Sequence, residues 1–523
     1  MTYPPTFTEI YVVSDIHLGG RRDDQENFQI FNRGERLGNL IRHISGQRVG
    51  EDVALVLNGD IIDSLAEDDV SGYVASDCET ALRMMQHLYQ DAAFQPVWQG
   101  LAHLVQQPKR HLIFIVGNHD IELSLPVVEY SIRNHLAAAN ENAQARIHFA
   151  THGGGFACRV AGARIFCTHG NEEDAWNLVD YDKLGQLANA MNAARTIEKS
   201  KWKPNAGTRL VVDVMNSIKR RYPFVDLLKP EVAAVAAVIL ALDKNVFKQV
   251  DFEDAFPVLR DRIRGGLVTK NLLGAGENDL SAVPSTEIAK EVSQQLLGPN
   301  FREAIQNSSR NSAAASEDDL LSAAEKAISE GRSATAMADR EGDPETLGAW
   351  DIFTGWIGFV SKEEGLRKAL KDWLEDDVTF RIDNQDDLYH SMRKRVGDQV
   401  DFIITGHTHK PRALELGGNR YYYNCGTWIR TLRLTTEVLD DADAFCELVW
   451  PALKSGKLAV LDETIIPGPD GALTPLLFDR TNVVQISAEN NSAVGQLLRV
   501  TDSDSVGRVK LSPESGTKPF KVG

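Results

Sequence analysis

Five short apolar runs, each ending in Asp, Asn or His beside glycine, limit what this chain can fold into. Ile10 to Val13 leads into Ser14-Asp15, Val53 to Leu57 into Asn58-Gly59-Asp60, and Leu112 to Val116 into Gly117-Asn118-His119-Asp120. Arg164 to Cys167 leads into Thr168-His169-Gly170, and Phe402 to Ile404 into Thr405-Gly406-His407-Thr408-His409. Short continuous apolar runs predict strands buried on both faces. Between them, Leu37, Leu40, Ile41 and Ile44, and then Val97, Leu101, Leu104 and Val105, recur at helical spacing and predict amphipathic helices. Alternating strand and helix predicts a layered α/β domain. Such folds place their sites at the carboxyl ends of buried strands.

The strand pattern stops at Thr168 and resumes only at Phe402, so the middle of the chain reads as an insertion with helical patterning. Pro230 suits the first turn of a helix over Val232 to Leu242. Ser361 with Glu364 forms a capping box. Asn307 to Ser316 and Gly331 to Glu345 are small and polar enough for links. The expected organisation is a core over 1–180, a helical insertion over 181–397 acting as a cap, the rest of the core over 398–438, and an extension over 439–523. In that extension, strands are expected at Leu458 to Leu461 and Leu476 to Phe478.

Composition narrows the class. The chain has 56 basic against 74 acidic residues, a net charge of −18, which disfavours nucleic acid as the main partner. Five scattered cysteines without C-x-x-C spacing suggest reduced thiols rather than a disulfide framework. Met1 to Ile10 has no basic segment followed by an apolar core, so no secretory signal is expected. Val232 to Leu242 is too short to span a bilayer. A soluble, acidic, cytoplasmic protein without a transmembrane segment is expected.

Asp15, His17, Asp60, Asn118, His169, His407 and His409 bring four imidazoles, two carboxylates and one amide, with no thiolate. Mixed N and O donors suit borderline divalent ions such as Mn²⁺, Fe²⁺ or Zn²⁺. Seven ligands exceed one tetrahedral ion and fit two ions sharing a carboxylate. Two ions about 3.5–4 Å apart form a clamp for phosphoester displacement.

Asp15-x-His17, Gly59-Asp60-x-x-Asp63, Gly117-Asn118-His119-Asp120, His169-Gly170 and Gly406-His407-x-His409 resemble the five ordered blocks of the calcineurin-like metallophosphoesterases. The resemblance covers about residues 8–180 and 398–430. It implies a two-sheet α/β/β/α sandwich with Asp15, His17 and His409 on one metal, Asn118, His169 and His407 on the other, and Asp60 bridging. His119 would be the general acid, oriented by Asp63, and the nucleophile a hydroxide between the metals. The cofactor implied is a pair of divalent ions, Mn²⁺ first, with Fe²⁺, Zn²⁺ or Ni²⁺ as alternatives. Ser64-Leu65 after Asp63, and Asp120 closing the third block, separate the chain from the protein serine/threonine phosphatases. Asp63 stands where the repair exonucleases usually carry His. The opening Ser14-Asp15-Ile16-His17-Leu18-Gly19 looks most like the UDP-2,3-diacylglucosamine pyrophosphatase-like branch, although Asn171 stands where that branch usually has Asp.

The remaining histidines, His43, His87, His103, His111, His135, His148, His152 and His390, lack the strand-end setting and are given no site role. Arg21, Arg22, Lys410 and Arg430 could reach a substrate phosphate or could be ordinary loop residues. Trp350, Phe353, Trp356 and Phe359 form a stripe that packs the insertion or walls a lipid or base. Basic clusters at Lys199 to Lys203, Lys219 to Arg221 and Arg393 to Arg395 read as solvated helix faces. Gly265-Gly266 and Gly274-x-Gly276 read as turns. The expected function is metal-dependent hydrolysis of a phosphomonoester, phosphodiester or pyrophosphate, on a small-molecule or lipid substrate. The alternatives are a nuclease of the same superfamily and a non-catalytic, metal-stabilised binding or scaffold protein.

Overall fold

The four strands nearest the amino terminus that carry a site motif or pair with one that does are β2 (Glu9–Val13), β3 (Val53–Asn58), β4 (Arg110–Ile115) and β5 (Ile147–Ala150), preceded by the two-residue β1 (Thr6–Phe7). Then come β6 (Phe156–Val160), β7 (Ala163–Cys167), β8 (Phe402–Thr405), β9 (Arg412–Gly417) and β10 (Arg420–Asn424). The computed structural model describes residues 3–20, 29–67, 70, 73–174, 177–195, 202, 204–205, 208, 211–212, 216–227, 363–364, 366–367, 370–371, 381–503 and 505–523. Expectations for Arg21, Arg22, Pro230, Val232 to Leu242, Gly265-Gly266, Gly274-x-Gly276, Asn307 to Ser316, Gly331 to Glu345, Ser361 and the Trp350 stripe lie outside these residues, as does most of Lys199 to Lys203.

The chain divides into two compact units. The first comprises Met1–Thr208, Val378–Arg430 and Asp479–Gly523; the second comprises Arg209–Asp377 and Thr431–Phe478. In the second unit, the short strands β11 (Thr431–Leu432), β12 (Ile465–Pro467), β13 (Leu473–Pro475) and β14 (Leu477–Phe478) form two antiparallel pairs, β11 with β14 and β12 with β13. Leu458 to Leu461, expected as a strand, opens a helix, Leu458–Glu463. A four-residue apolar run carries no readable period. Here Leu458 and Leu461, three apart, are buried on one helical face. Lys219, expected on a solvated face, is buried.

The first unit holds the sandwich. Its six-stranded sheet runs β1-β6-β7-β8-β10-β9. Its eight-stranded sheet runs β17-β16-β15-β2-β3-β4-β5, with β18 also on β16. The four late strands are β15 (Asn482–Glu489), β16 (Ser492–Asp502), β17 (Val509–Pro513) and β18 (Phe520–Val522). They lie where the sequence shows only a polar tail: their buried apolar residues, Val483, Val484 and Ile486 in β15 and Leu497, Leu498 and Val500 in β16, are interrupted by polar ones and form no continuous run. One apolar layer lies between the sheets, with Ile10, Val12, Val56 and Ile113 from one and Cys158, Ile165, Ile404 and Tyr423 from the other. Helices α1 (Gly34–Ser45) and α3 (Gln95–Gln106) bury the expected Leu37, Leu40, Ile41, Ile44, Val97, Leu101, Leu104 and Val105, and pack with the eight-stranded sheet. Leu388, Tyr389 and Met392 of helix Asp387–Arg395 cover the other face of the six-stranded sheet, on Ile403, Leu414 and Tyr422. This is the expected α/β/β/α sandwich.

β2, β3 and β8 are buried along their whole length, as the continuous runs predict. β7 differs: Arg164 and Phe166 alternate with buried neighbours and are partly exposed. All five cysteines are free thiols, with Cys158, Cys167 and Cys425 buried in the core. No helix among the described residues is long and apolar enough to cross a membrane.

Candidate metal centre

Parallel pairing of β2 with β3, β3 with β4, and β7 with β8 makes the carboxyl ends of neighbouring strands share one rim. Asp15 and His17 follow β2, Asp60 follows β3, Asn118 follows β4, His169 follows β7, and His407 and His409 follow β8. The loops are stitched through the main chain. The amides of Asp15, Ile16 and His17 donate to the carbonyls of Gly59, Asp60 and Asp60 at 3.1, 2.8 and 3.0 Å. The motif glycines make room for side chains of other motifs. A Cβ at Gly117 would lie 2.2 Å from Asp60 Oδ1, and one at Gly406 would lie 2.5 Å from Asp15 Oδ2. Gly59, with φ +83°, adds a second constraint, because its Cβ would meet the His169 ring at 2.4 Å.

Six of the seven expected ligands, all but Asn118, form two overlapping groups. Donor atoms of Asp15, His17, Asp60 and His409 lie within 4.8 Å of one another, and so do those of Asp60, His169 and His407. Asp60 belongs to both. His409 Nε2 is 3.2 Å from Asp15 Oδ1 and 3.2 Å from His17 Nε2. His169 Nε2 is 3.2 Å from Asp60 Oδ2. Asp15, His17, Asp60, Asn118 and His169 are all buried. Among the described residues, Asn118 Oδ1 is buried with no hydrogen-bond partner. A buried amide oxygen without a partner is costly unless something else meets it, which fits a cation. Two imidazole nitrogens aimed at each other, beside two buried carboxylates, fit the same donor chemistry.

Electrostatics agree with a site built for positive charge. Burial favours the neutral Asp60 carboxyl, yet the rings of His169, His119 and His17 outweigh it and hold Asp60 far below the carboxylate range. His409 likewise outweighs the burial of Asp15 and holds it low. Burial, reinforced by His119, pushes His17 down to about 3 against the pull of Asp60, so this ring is neutral. Burial also opposes charge on His169, but Asp60 overrides it and pushes the ring up to about 10. Asp120, driven first by burial and then by the charge of Asp60, is raised to about 7.

His119 Nδ1 lies 3.1 Å from Asp63 Oδ1, and its backbone N–H donates to Asp60 Oδ1 at 2.9 Å. Its side chain is 19% exposed against 5% for Asp63, so the ring edges towards solvent while its partner is buried.

Several supporting residues escape the motif reading. Asn58 O accepts from His169 Nδ1 at 2.9 Å. Asp120 accepts from the amides of Ile61 and Gly117 at 2.7 and 2.6 Å, tying two motif loops together. Asn424 Nδ2 donates to Gly406 O at 2.7 Å, and Thr427 Oγ1 to Asp15 O at 2.9 Å. A sixth strand ending in Asn424-Cys425-Gly426-Thr427 repeats the signal of the other five and could have been found by it. Asp174 and Asn177 carry no such signal. Among the histidines given no site role, His111 pairs with Asp52 at 3.1 Å and His135 stacks on Tyr89 with ring centroids 3.7 Å apart. Arg430 is buried.

A family model described as calcineurin-like phosphoesterase matches residues 8–232. No curated protein matches the chain. The matched segment contains Asp15, His17, Asp60, Asn118, His119 and His169 and ends before His407 and His409, which the fold of the first unit adds to the same rim. The matched segment is similar to calcineurin-like phosphoesterases, and the sandwich carries a buried His/Asp cluster at its rim.

Proposed function

We propose that the protein hydrolyses a phosphomonoester, phosphodiester or pyrophosphate bond with two divalent ions. The single observation that carries this reading is the pair of overlapping donor groups sharing Asp60. Asp15, His17 and His409 with Asp60 would hold one ion, and Asn118, His169 and His407 with Asp60 the other. When bound, such ions supply Lewis acidity towards phosphoryl oxygens and an activated water as nucleophile. Mn²⁺ is the first candidate, since the donor set mixes imidazole, carboxylate and amide without thiolate.

The chain's own contribution to bond cleavage is the His119–Asp63 pair. A carboxylate only accepts, so Asp63 holds the proton on His119 Nδ1 and stabilises the imidazolium. Nε2 is then the atom that delivers a proton to the leaving oxygen. A site serving only to stabilise the fold has no need of that pair. The resemblance to the pyrophosphatase-like branch makes nucleoside-diphosphate-linked compounds the first natural class to assay.

The test combines metal analysis with two substrates. The purified protein should carry close to two divalent ions per chain, lose activity to chelator and regain it with Mn²⁺. His119→Ala should keep the ions and lose about 10²–10⁴-fold on a poor alkoxide leaving group. It should lose much less on p-nitrophenolate, which departs without protonation. Absence of bound metal together with no gain from Mn²⁺ would overturn the reading. Equal losses on both leaving groups would overturn the role of His119.

A further inference from the structure

We propose that Asp174 and Asn177, in the segment following His169, form an outer clamp that sets which atoms His407 and Asn118 present to the second ion. The inference rests on the two-ion reading and deepens it, naming positioning residues outside all five sequence blocks.

His407 Nε2 lies 3.1 Å from Asp174 Oδ2. The carboxylate can only accept, so the ring carries its proton on Nε2 and keeps its lone pair on Nδ1. A neutral His407 held this way can offer an ion Nδ1 and nothing else. The same Asp174 Oδ2 accepts from Asn177 Nδ2 at 2.8 Å. That fixes the Asn177 amide, leaving its Oδ1 as an acceptor 3.4 Å from Asn118 Nδ2. Asn118 therefore spends an N–H on Asn177, and its Oδ1, buried and without a partner, is the atom left for the ion. One carboxylate thus sets the donor face of two ligands, directly in one case and through an amide relay in the other.

The segment is itself anchored. Asn171 Nδ2 donates to Asn177 O at 3.0 Å, and the Asn177 amide to Asp174 O at 2.9 Å. Because Asn171 follows His169-Gly170 directly, the chain that supplies one ligand of this group also disciplines the other two. Outer partners of metal-binding side chains orient them and fix their tautomers, typically at 10–100-fold in affinity. The rings of the first group are different: among the described residues, Nδ1 of His17, with Asp63 Oδ2 no nearer than 3.9 Å, and Nδ1 of His409 are buried without a hydrogen-bond partner. The clamp should therefore act on one ion position and spare the other.

The experiment titrates the metal-free full chain with Mn²⁺, measuring bound ions by equilibrium dialysis and the spin-coupled pair by electron paramagnetic resonance. Wild type should bind two ions and show the coupled signal. Asp174→Ala should weaken one ion by about 10–100-fold and leave the other unchanged. At intermediate Mn²⁺ an uncoupled signal should replace the coupled one. Asn177→Ala should shift the same ion by a smaller factor, and the double variant should lose less than the product of the two. Selective loss of one ion, with an unchanged melting temperature of the metal-free protein, separates positioning from a general structural role. Asn177→Ala also serves if Asp174→Ala fails to fold. Two ions with unchanged affinities in both variants, or equal weakening of both ions, would overturn the clamp and leave the two-ion reading standing. No ion on wild type would overturn that reading and the clamp with it.

Discussion

Asp15, His17, Asp60 and His409, the four side chains of the first donor group, all sit at positive φ, at 53°, 54°, 51° and 58°. Asn118 and His169 of the second group do not; they are directed by Asn177 and by the Asn58 carbonyl. His407 combines both devices, with φ 67° and the Asp174 contact. A non-glycine residue in that region costs on the order of 1–3 kcal/mol, and it persists only where the surroundings over-determine it. Here they do, because main-chain hydrogen bonds lock the β2 and β3 loops together and Thr427 and Trp428 both donate to the Asp15 carbonyl. The first position is written into backbone conformation and the second into side-chain hydrogen bonds. Errors at the first should spread through loops, and errors at the second should stay local.

Asp60 is where the two designs meet, and replacing it should have the largest effect. Asp60→Asn keeps the shape but removes the charge that both groups share. Both ions should be lost at Mn²⁺ concentrations that saturate wild type, and turnover should fall to the no-metal background. Elemental analysis after dialysis checks it. Retention of one full ion would mean that Asp60 belongs to a single position, and the comparison would collapse into two independent sites.

The difference between the groups also explains what could be read from the sequence. The strands β2, β3, β4, β7 and β8 and the rim they feed were legible, because a buried strand followed by Asp, Asn or His beside glycine marks both. The supporting contacts were not. Asp174 and Asn177 sit in an irregular segment with no period, and their meaning arises only when β7 and β8 pair and bring His407 alongside. β15 and β16 were missed for another reason. Their apolar stretches are broken by Gln485, Ser487 and Gln496, so they show neither a continuous run nor a strict alternation. Leu458 to Leu461 was misread because four apolar residues suit a strand and a helix equally.

A smaller effect tests whether backbone support is what holds the first position. Thr427→Val removes the hydroxyl that donates to the Asp15 carbonyl, and with it the acceptor of the Ile429 amide at 3.2 Å, while keeping the shape, and the Trp428 amide still caps the Asp15 oxygen at 3.0 Å. A single hydrogen bond of this kind is worth about 1 kcal/mol. If that loss falls on the ligand-bearing conformation, the first ion should bind roughly fivefold more weakly, since 1.4 kcal/mol is tenfold. The second ion should keep its affinity, the reverse of the selectivity expected from Asp174→Ala. Equal weakening of both ions would erase the distinction drawn between backbone and side-chain support.

The smallest expected effect supplies the control for that measurement. Asp77 caps helix α2 (Cys78–Gln90), accepting from the Thr80 amide at 2.8 Å and from its hydroxyl at 2.9 Å. Like Thr427, it is a side chain bonded to a neighbouring main-chain group, but it belongs to neither donor group. Asp77→Ala should cost about 1 kcal/mol of stability at neutral pH. The Thr80 amide is the main reason that the Asp77 carboxyl is held below its usual value. A depressed carboxyl contributes stability above its unfolded pKa of about 3.9 and loses it as pH falls through the folded value. The gap between wild type and Asp77→Ala in urea denaturation should therefore be full at pH 7 and shrink below about pH 4. Metal affinities should not move at all. If Asp77→Ala weakens the first ion as much as Thr427→Val does, the Thr427 effect reports general stability, and the claim that backbone support sets the first position fails.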